Sequence, residues 1–386
     1  MWVPFKQYEK HLMEFPIIQK IKGDQVLLEK PKIPFDRNRI YFFPICKYFM
    51  SIGQIKKLYA DLLMAKTKQT NEPIIQKLIK TDGKFYGFNV NDFVVFDYKY
   101  EYTFIYLVDY FMEPIRLLCY RNNQTENFAE WFNRNRELIA ARCRPISLEK
   151  IINYCMANFT ICSEFDPCWS ILIINYFRQF TPINKVLDMS AGRGARLIGA
   201  IAAGCDYLGV DPCNATHEFY ESVGEFYNSI SAKPIMYEVI NSGFEDNWKS
   251  EKFKINNSNN NAENNNSNNN AEKNGSAENV GFDLMFSSPP YFDLEIFGSE
   301  EGQSTKKFPV LEIWLKDFLF KCMDKIATLL RPGGIMAINI DNPRHQDLDY
   351  VNPMIRYTPP EMKYLGLITI ARPHTKYSVW VYQKNE

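Results

Sequence analysis

Two short apolar runs, each stopped by small or rigid residues, constrain this chain more than any other feature. Lys185-Val186-Leu187-Asp188 leads into Met189-Ser190-Ala191-Gly192-Arg193-Gly194, and further along Phe282-Asp283-Leu284-Met285-Phe286 leads into Ser287-Ser288-Pro289-Pro290-Tyr291-Phe292. Brief apolar runs bounded by turn formers read as buried strands. The glycines of the first turn allow backbone to approach an anionic or ribose-bearing ligand. The second turn offers a short polar side chain, two prolines that stiffen the backbone and an aromatic ring. Such a turn can hold a planar amine by its N–H groups and stack on its face.

From about Pro145 onward, strand and helix patterns alternate, the signature of a parallel sheet wrapped by helices. Leu148 to Asn158 and Trp169 to Phe177 read as apolar helices, and a helix beginning near Ala195 ends at Gly204. Tyr207–Asp211, Ile235–Ile240, Phe282–Phe286 and Ile335–Ile340 supply further strands, and Tyr377–Tyr382 a final one. A long helix from about Val310 to Leu330 carries Leu311, Trp314, Phe318, Cys322 and Ile326 on one stripe and stops at Arg331-Pro332-Gly333-Gly334. Ligands of open α/β sheets sit beyond the carboxyl ends of the strands. That rule places Asp188, Gly192 and Gly194 at one such end and Asp211, positioned to accept both ribose hydroxyls, at the next. A dinucleotide fingerprint would need a third glycine where Leu197 stands.

The chain before Pro145 is rich in Phe and Tyr and reads as a mixed α+β domain, residues 1–145, which contains no motif of identifiable chemistry. Tyr106 to Tyr120 is expected to be a helix whose Asp109, Glu113 and Arg116 form one polar face, solvated or ion-paired at the surface. The Asn, Ser, Ala and Glu tract at 256–279 lacks the apolar residues that repay ordering and is expected to be a disordered insertion within a second domain, 146–386.

Composition excludes several classes. With 46% hydrophobic residues and 15% aromatic, the chain is not a disordered protein, and its formal charge of zero gives no overall electrostatic argument for a nucleic-acid partner. Charge is uneven, however: residues 1–80 hold fifteen Lys and Arg against seven Asp and Glu. The nine cysteines form no Cys-x-x-Cys pair and the four histidines are isolated, so reduced thiols and no metal site are expected. No signal-peptide pattern or bilayer-spanning apolar run is present, which points to a soluble intracellular protein without membrane association.

The glycine loop, the acidic strand end and Ser288-Pro289-Pro290-Tyr291, in that order, resemble the S-adenosylmethionine-dependent amino methyltransferases of the DNA N6-adenine and N4-cytosine group, whose catalytic motif reads Asp/Asn/Ser-Pro-Pro-Tyr/Phe/Trp. The resemblance covers roughly residues 180–386. It implies a Rossmann-like methyltransferase sheet, S-adenosyl-L-methionine as cofactor, and methyl transfer to an exocyclic base amine. By the same resemblance, Gly192 and Gly194 wrap the methionine portion, Asp188 orients its amino group and Asp211 takes the ribose. Asn241-Ser242-Gly243-Phe244-Glu245-Asp246 meets the adenine ring, with the choice between Glu245 and Asp246 open. Ser288 and the Pro289 carbonyl would accept the amine N–H groups and favour a pyramidal nitrogen, while Tyr291 would stack on a flipped base. Asn339 and Asp341 point toward the same sheet edge.

Ser288 departs from the Asp or Asn common among adenine enzymes, and Ser is associated with cytosine N4, which leaves the base open. DNA is favoured over RNA as partner; an RNA base methyltransferase acting on adenine N6 or guanine N2 and a non-catalytic nucleic-acid-binding relative are the alternatives. Target engagement is assigned to the N-terminal region, with Lys56, Lys57, Lys66 and Lys68 as its basic contacts.

Overall fold

A computed structural model of the chain describes residues 50–65, 67–70, 80–81, 84–85, 91–96, 104–121, 124–144, 148–247, 253, 281–292, 294–297, 301–342, 348–372 and 375–386. The tract at 256–279 and Lys66 lie outside them. Along the chain the elements are α1 (Ile52–Leu63), β1 (Thr67–Thr70), β2 (Lys80–Thr81), β3 (Lys84–Phe85), β4 (Asn91–Phe96), α2 (Ile105–Leu118), β5 (Tyr120–Arg121), α3 (Phe128–Arg142), α4 (Leu148–Asn158) and α5 (Pro167–Phe177). Then follow β6 (Lys185–Asp188), α6 (Ala195–Ala203), β7 (Asp206–Asp211), α7 (Asn214–Ser229), β8 (Tyr237–Asn241), α8 (Phe244–Asn247), β9 (Phe282–Ser287), β10 (Glu295–Ile296), α9 (Ser304–Lys307) and α10 (Leu311–Ile313). A π-helical stretch, Trp314–Phe320, leads to α11 (Lys321–Leu329), β11 (Leu330–Asn339), α12 (Val351–Tyr357), β12 (Met362–Arg372) and β13 (Thr375–Lys384).

Nine strands make one sheet in the order β1-β4-β12-β13-β11-β9-β6-β7-β8. The pairs β11–β9, β9–β6, β6–β7 and β7–β8 are parallel, and β13 runs antiparallel between β11 and β12. This is the Rossmann-like, mostly parallel sheet expected from the sequence. All six residues of β9 are buried, as a central parallel strand covered on both faces requires. One face packs under α1, α2, α5, α6 and α7 through residues such as Ile55, Phe111, Ile173, Leu197 and Phe226. The other packs under the 311–329 helical run and α12 through Trp314, Leu319, Ile326 and Met354. Val186 serves the first core and Leu187 the second, the alternation of a strand.

Successive connections β6 to β7 to β8 travel one way from β6, whereas β9 lies on its other side. The strand order therefore reverses between β6 and β9, and a crevice opens beyond their carboxyl ends. The segment before α5 is led into place by Asp166, whose buried carboxylate accepts the Cys168 N–H at 2.9 Å while Pro167 occupies the first helical position.

Two expectations need correction. The polar stripe of α2 is ion-paired but not a surface: Asp109 is 2% and Glu113 4% exposed, and Arg116 donates to both Asp109 oxygens, at 2.8 and 2.7 Å. The cause is that α2 lies among α6, α7 and α5, so that ten of its fourteen residues are buried. The long helix expected from about Val310 to Leu330 is interrupted by the π-helical stretch, within which Trp314, Leu315, Phe318 and Leu319 are buried. The sequence reading also missed β12, which pairs with β13 on one edge and, in parallel, with β4 on the other.

Candidate active site

A cavity of about 460 Å³ opens beyond the carboxyl ends of β6, β7, β8 and β9, within the range of small-molecule sites. The local sequence explains its floor. After β6, Gly192 and Gly194 adopt φ of 59° and 81°, the left-handed region that disfavours residues with a Cβ. The turn they make starts α6 immediately and leaves the 190–193 backbone along the cavity. Tyr220 of α7 braces the turn by donating to the Gly192 carbonyl.

Asp211, the last residue of β7, lines the cavity and is 8% exposed. Its Oδ2 accepts the Gly192 N–H at 2.8 Å and its Oδ1 the Cys213 N–H at 2.9 Å. A carboxylate offers about four acceptor positions, so capacity remains for donors arriving through the cavity. Burial pushes the Asp211 carboxyl up to about 6, against the lowering effect of those two backbone donors.

Asp188 ends the neighbouring strand in a different environment. It is fully buried and does not line the cavity. Oδ1 accepts from Ser190 N–H at 3.1 Å and Ser287 Oγ at 2.7 Å, and Oδ2 from Arg196 Nε at 2.6 Å and Tyr207 Oη at 2.7 Å. The carboxylate therefore ties β6 to β7, β9 and α6. Burial works against the Arg196 charge, but Asp188 outweighs it and the guanidinium titrates above its ordinary range.

At the β8 end, Phe244 and Glu245 line the cavity, while the side chain of Asp246 is 56% exposed and lies outside it. Lys307 of α9 binds Glu245 at 2.7 Å and also Asp246, drawing Gly302, Gln303 and Ser304 over this end of the cavity.

The two serines at the end of β9 divide their roles. Ser287 is buried and serves Asp188, whereas Ser288, Pro289, Pro290 and Tyr291 all line the cavity. Tyr291 donates to the Asn339 carbonyl at 3.4 Å, and its own carbonyl accepts from Tyr350 at 3.2 Å. The next residue, Phe292, has φ of 49°. That conformation costs a side-chain-bearing residue about 1–3 kcal/mol. Burial of the Phe292 ring, 8% exposed and 6.1 Å from the Trp314 ring, contributes roughly 1.5–3 kcal/mol in return. The turn is thus clamped from below. Asn339 and Asp341, at the end of β11, line the cavity beside it, held by Ser378: Asn339 donates to its carbonyl at 2.9 Å and Asp341 accepts its N–H at 3.2 Å.

Of the residues singled out from sequence, Gly192, Asp211, Phe244, Glu245 and Ser288–Tyr291 share this cavity; Asp188, Gly194 and Asp246 do not line it. Sequence reasoning missed its opposite wall. Ile115, Cys119 and Arg121 reach it from the end of α2 and β5, Glu164 and Phe165 from the segment before α5, and Leu294 and Phe297 from beside β10. Pairing of β5 with β10, Glu295 opposite Arg121, joins the outer parts of that wall. Arg193 links it to the glycine loop, donating to Glu164 at 2.5 Å and to the Ser163 carbonyl, with its guanidinium 5.9 Å from the Phe297 ring.

Lys56 and Lys57 lie elsewhere. On α1, Tyr59 bonds Ser231 at 2.6 Å and packs on Tyr227, at the far end of α7 from Asp211. With sixteen residues, α7 separates these places by about 24 Å. The side chain of Lys68 is outside the described structure. Among the described residues, no group of three His, Cys, Asp or Glu side chains is placed to hold a metal ion, and no helix is long and apolar enough to cross a membrane.

No family model matches the chain, and no curated protein matches it. Among solved structures, TrmN from Thermus thermophilus is 13% identical with a TM-score of 0.35; the likeness covers 57% of this chain and 49% of TrmN, so the chain spans about half the length of that protein. The N-methyltransferase NodS from Bradyrhizobium japonicum WM9 is 9% identical, covering 56% of this chain and 95% of NodS, with a TM-score of 0.34. An rRNA methylase from Streptococcus thermophilus is 11% identical over the same two shares, with a TM-score of 0.33.

Proposed function

We propose that this chain transfers the methyl group of S-adenosyl-L-methionine to an exocyclic amine of a nucleic-acid base, with adenine N6 and cytosine N4 of DNA the first substrates to test. The observation that supports this reading best is that the Ser288–Tyr291 turn and Asp211 line one cavity of about 460 Å³. Its chemistry suits an adenosyl ligand: a buried carboxylate with spare acceptor capacity for a diol at β7, and the apolar Phe244 beside Glu245 at β8.

The bound cofactor supplies an electrophilic methyl on a sulfonium; everything else falls to the protein. The amine is a poor nucleophile because its lone pair is delocalised into the ring. Ser288 Oγ and the Pro289 carbonyl would accept its two N–H groups, favouring a pyramidal nitrogen whose lone pair faces the methyl. Tyr291, braced by Asn339 and Tyr350, would stack on a base that has left its duplex. With no covalent intermediate to form, rate acceleration rests on positioning and on preorganised acceptors.

The test is to incubate the full chain with labelled S-adenosylmethionine and separate DNA, RNA and protein pools, then identify the modified nucleoside by mass. Label on a base amine supports the proposal. Label confined to protein, or to a ring carbon, refutes it.

A further inference from the structure

We infer that Glu164 is the residue that receives the α-ammonium group of the cofactor's methionine portion. This rests on the proposed reading of the cavity as an S-adenosylmethionine site. The sequence expectation gave the role to Asp188, but that carboxylate already accepts four hydrogen bonds and does not line the cavity.

The order of strands says where the ammonium group must go. A ligand with its base at the β8 end, against Phe244 and Glu245, and its ribose at the β7 end, against Asp211, continues across the Ser190–Gly192 backbone toward β9. Each strand is about 4.8 Å further along. Glu164 stands at that end of the path. It bonds Arg193 of the glycine loop at 2.5 Å, and the ring of the adjoining Phe165 is 5.8 Å from Phe286 of β9.

Glu164 is also chemically suited to the task. Its side chain is 3% exposed, yet it lines the cavity. Its Oε2 accepts from Arg193 and its Oε1 from the Phe165 N–H at 3.0 Å, which leaves one lone pair on each oxygen. Burial raises the Glu164 carboxyl above its ordinary value even beside Arg193, so the carboxylate gains from an added cation.

Calorimetry with three ligands tests the assignment: S-adenosylhomocysteine, its analogue lacking the α-amino group, and 5′-methylthioadenosine, which has no amino-acid portion. In the unmodified protein, loss of the amino group should weaken binding about tenfold, the scale of one charged hydrogen bond. Glu164→Gln should weaken S-adenosylhomocysteine about tenfold and leave the other two ligands unchanged. Should that variant not fold, Glu164→Asp, which keeps the charge but shortens its reach, reads the same difference. Equal affinity of the unmodified protein for the amino and des-amino ligands, or a loss shared equally by 5′-methylthioadenosine, overturns the assignment. If none of the three binds the unmodified protein, the cofactor reading itself fails.

Discussion

Asp188 and Asp211 end adjacent parallel strands, both are buried, and both stand where sequence patterns place a ligand-binding carboxylate. They differ in what the fold has already done with them. Asp188 is committed to four protein donors, among them the buried Arg196 guanidinium, whereas Asp211 accepts two backbone N–H groups and lines the cavity. Position at a strand end thus nominates a residue, and the count of its unspent acceptor positions decides between scaffold and site.

The largest effect should come from Asp188→Ala. Removing one partner of a buried pair strands Arg196 without its counter-charge, which costs about 3–5 kcal/mol. Urea denaturation should show that loss; a change below about 1 kcal/mol would mean that Asp188 is not the keystone described. Asp211→Ala should do the reverse, weakening S-adenosylmethionine binding by about 1.5–3 kcal/mol with a smaller change in stability. Unchanged calorimetric affinity would remove Asp211 from the site.

The turn after β9 extends the same contrast to two neighbouring serines. Ser288→Ala should slow transfer roughly 10²-fold with cofactor affinity intact, as for loss of one transition-state hydrogen bond. Ser287→Ala should instead lower stability, through Asp188, by about 1–3 kcal/mol. Equal turnover in the two variants would erase the distinction.

Acid should act through Asp211. Its carboxyl, raised to about 6 by burial, titrates above its unfolded value near 3.9, so the free protein loses stability as pH rises between those values. A ligand whose hydroxyls donate to the carboxylate needs the ionised form. Affinity should therefore fall about tenfold per pH unit below 6, and Asp211→Asn should abolish that slope in a titration from pH 7 to 5. The smallest effect belongs to Lys56 and Lys57: their place at the opposite end of α7 predicts that reversal to Glu leaves nucleic-acid affinity and its salt slope nearly unchanged, and a clear loss would carry the substrate path to that end of the molecule.

Much of this was legible in the sequence, because strand-length apolar runs and turn residues are local signals. β6, β7, β9 and the turn of Ser288 through Tyr291 fall where the patterns place them, and Asn339 and Asp341 do line the cavity. The saturation of Asp188 was not legible, since it depends on Ser287, Tyr207 and Arg196 arriving from other elements. Nor was the burial of Asp109 and Glu113: a polar stripe on a helix looks the same whether it faces water or a second charged segment. Glu164 carries no motif, and its pairing with Arg193 emerges only when α5 and α6 pack.

The pairing of β4 with β12, and of β1 with β4, bears on how the protein can be handled. Cutting the chain near residue 146 to isolate the part that lines the cavity through Asp211 and Ser288 would strip β12 of its neighbour and leave a row of unpaired N–H and C=O groups along a long strand, a template for edge-to-edge aggregation. It would also remove α2, baring the apolar surface against which Phe111 and Leu107 pack. A shortened version that precipitates would therefore report an exposed sheet edge rather than a failure of the remaining residues to fold.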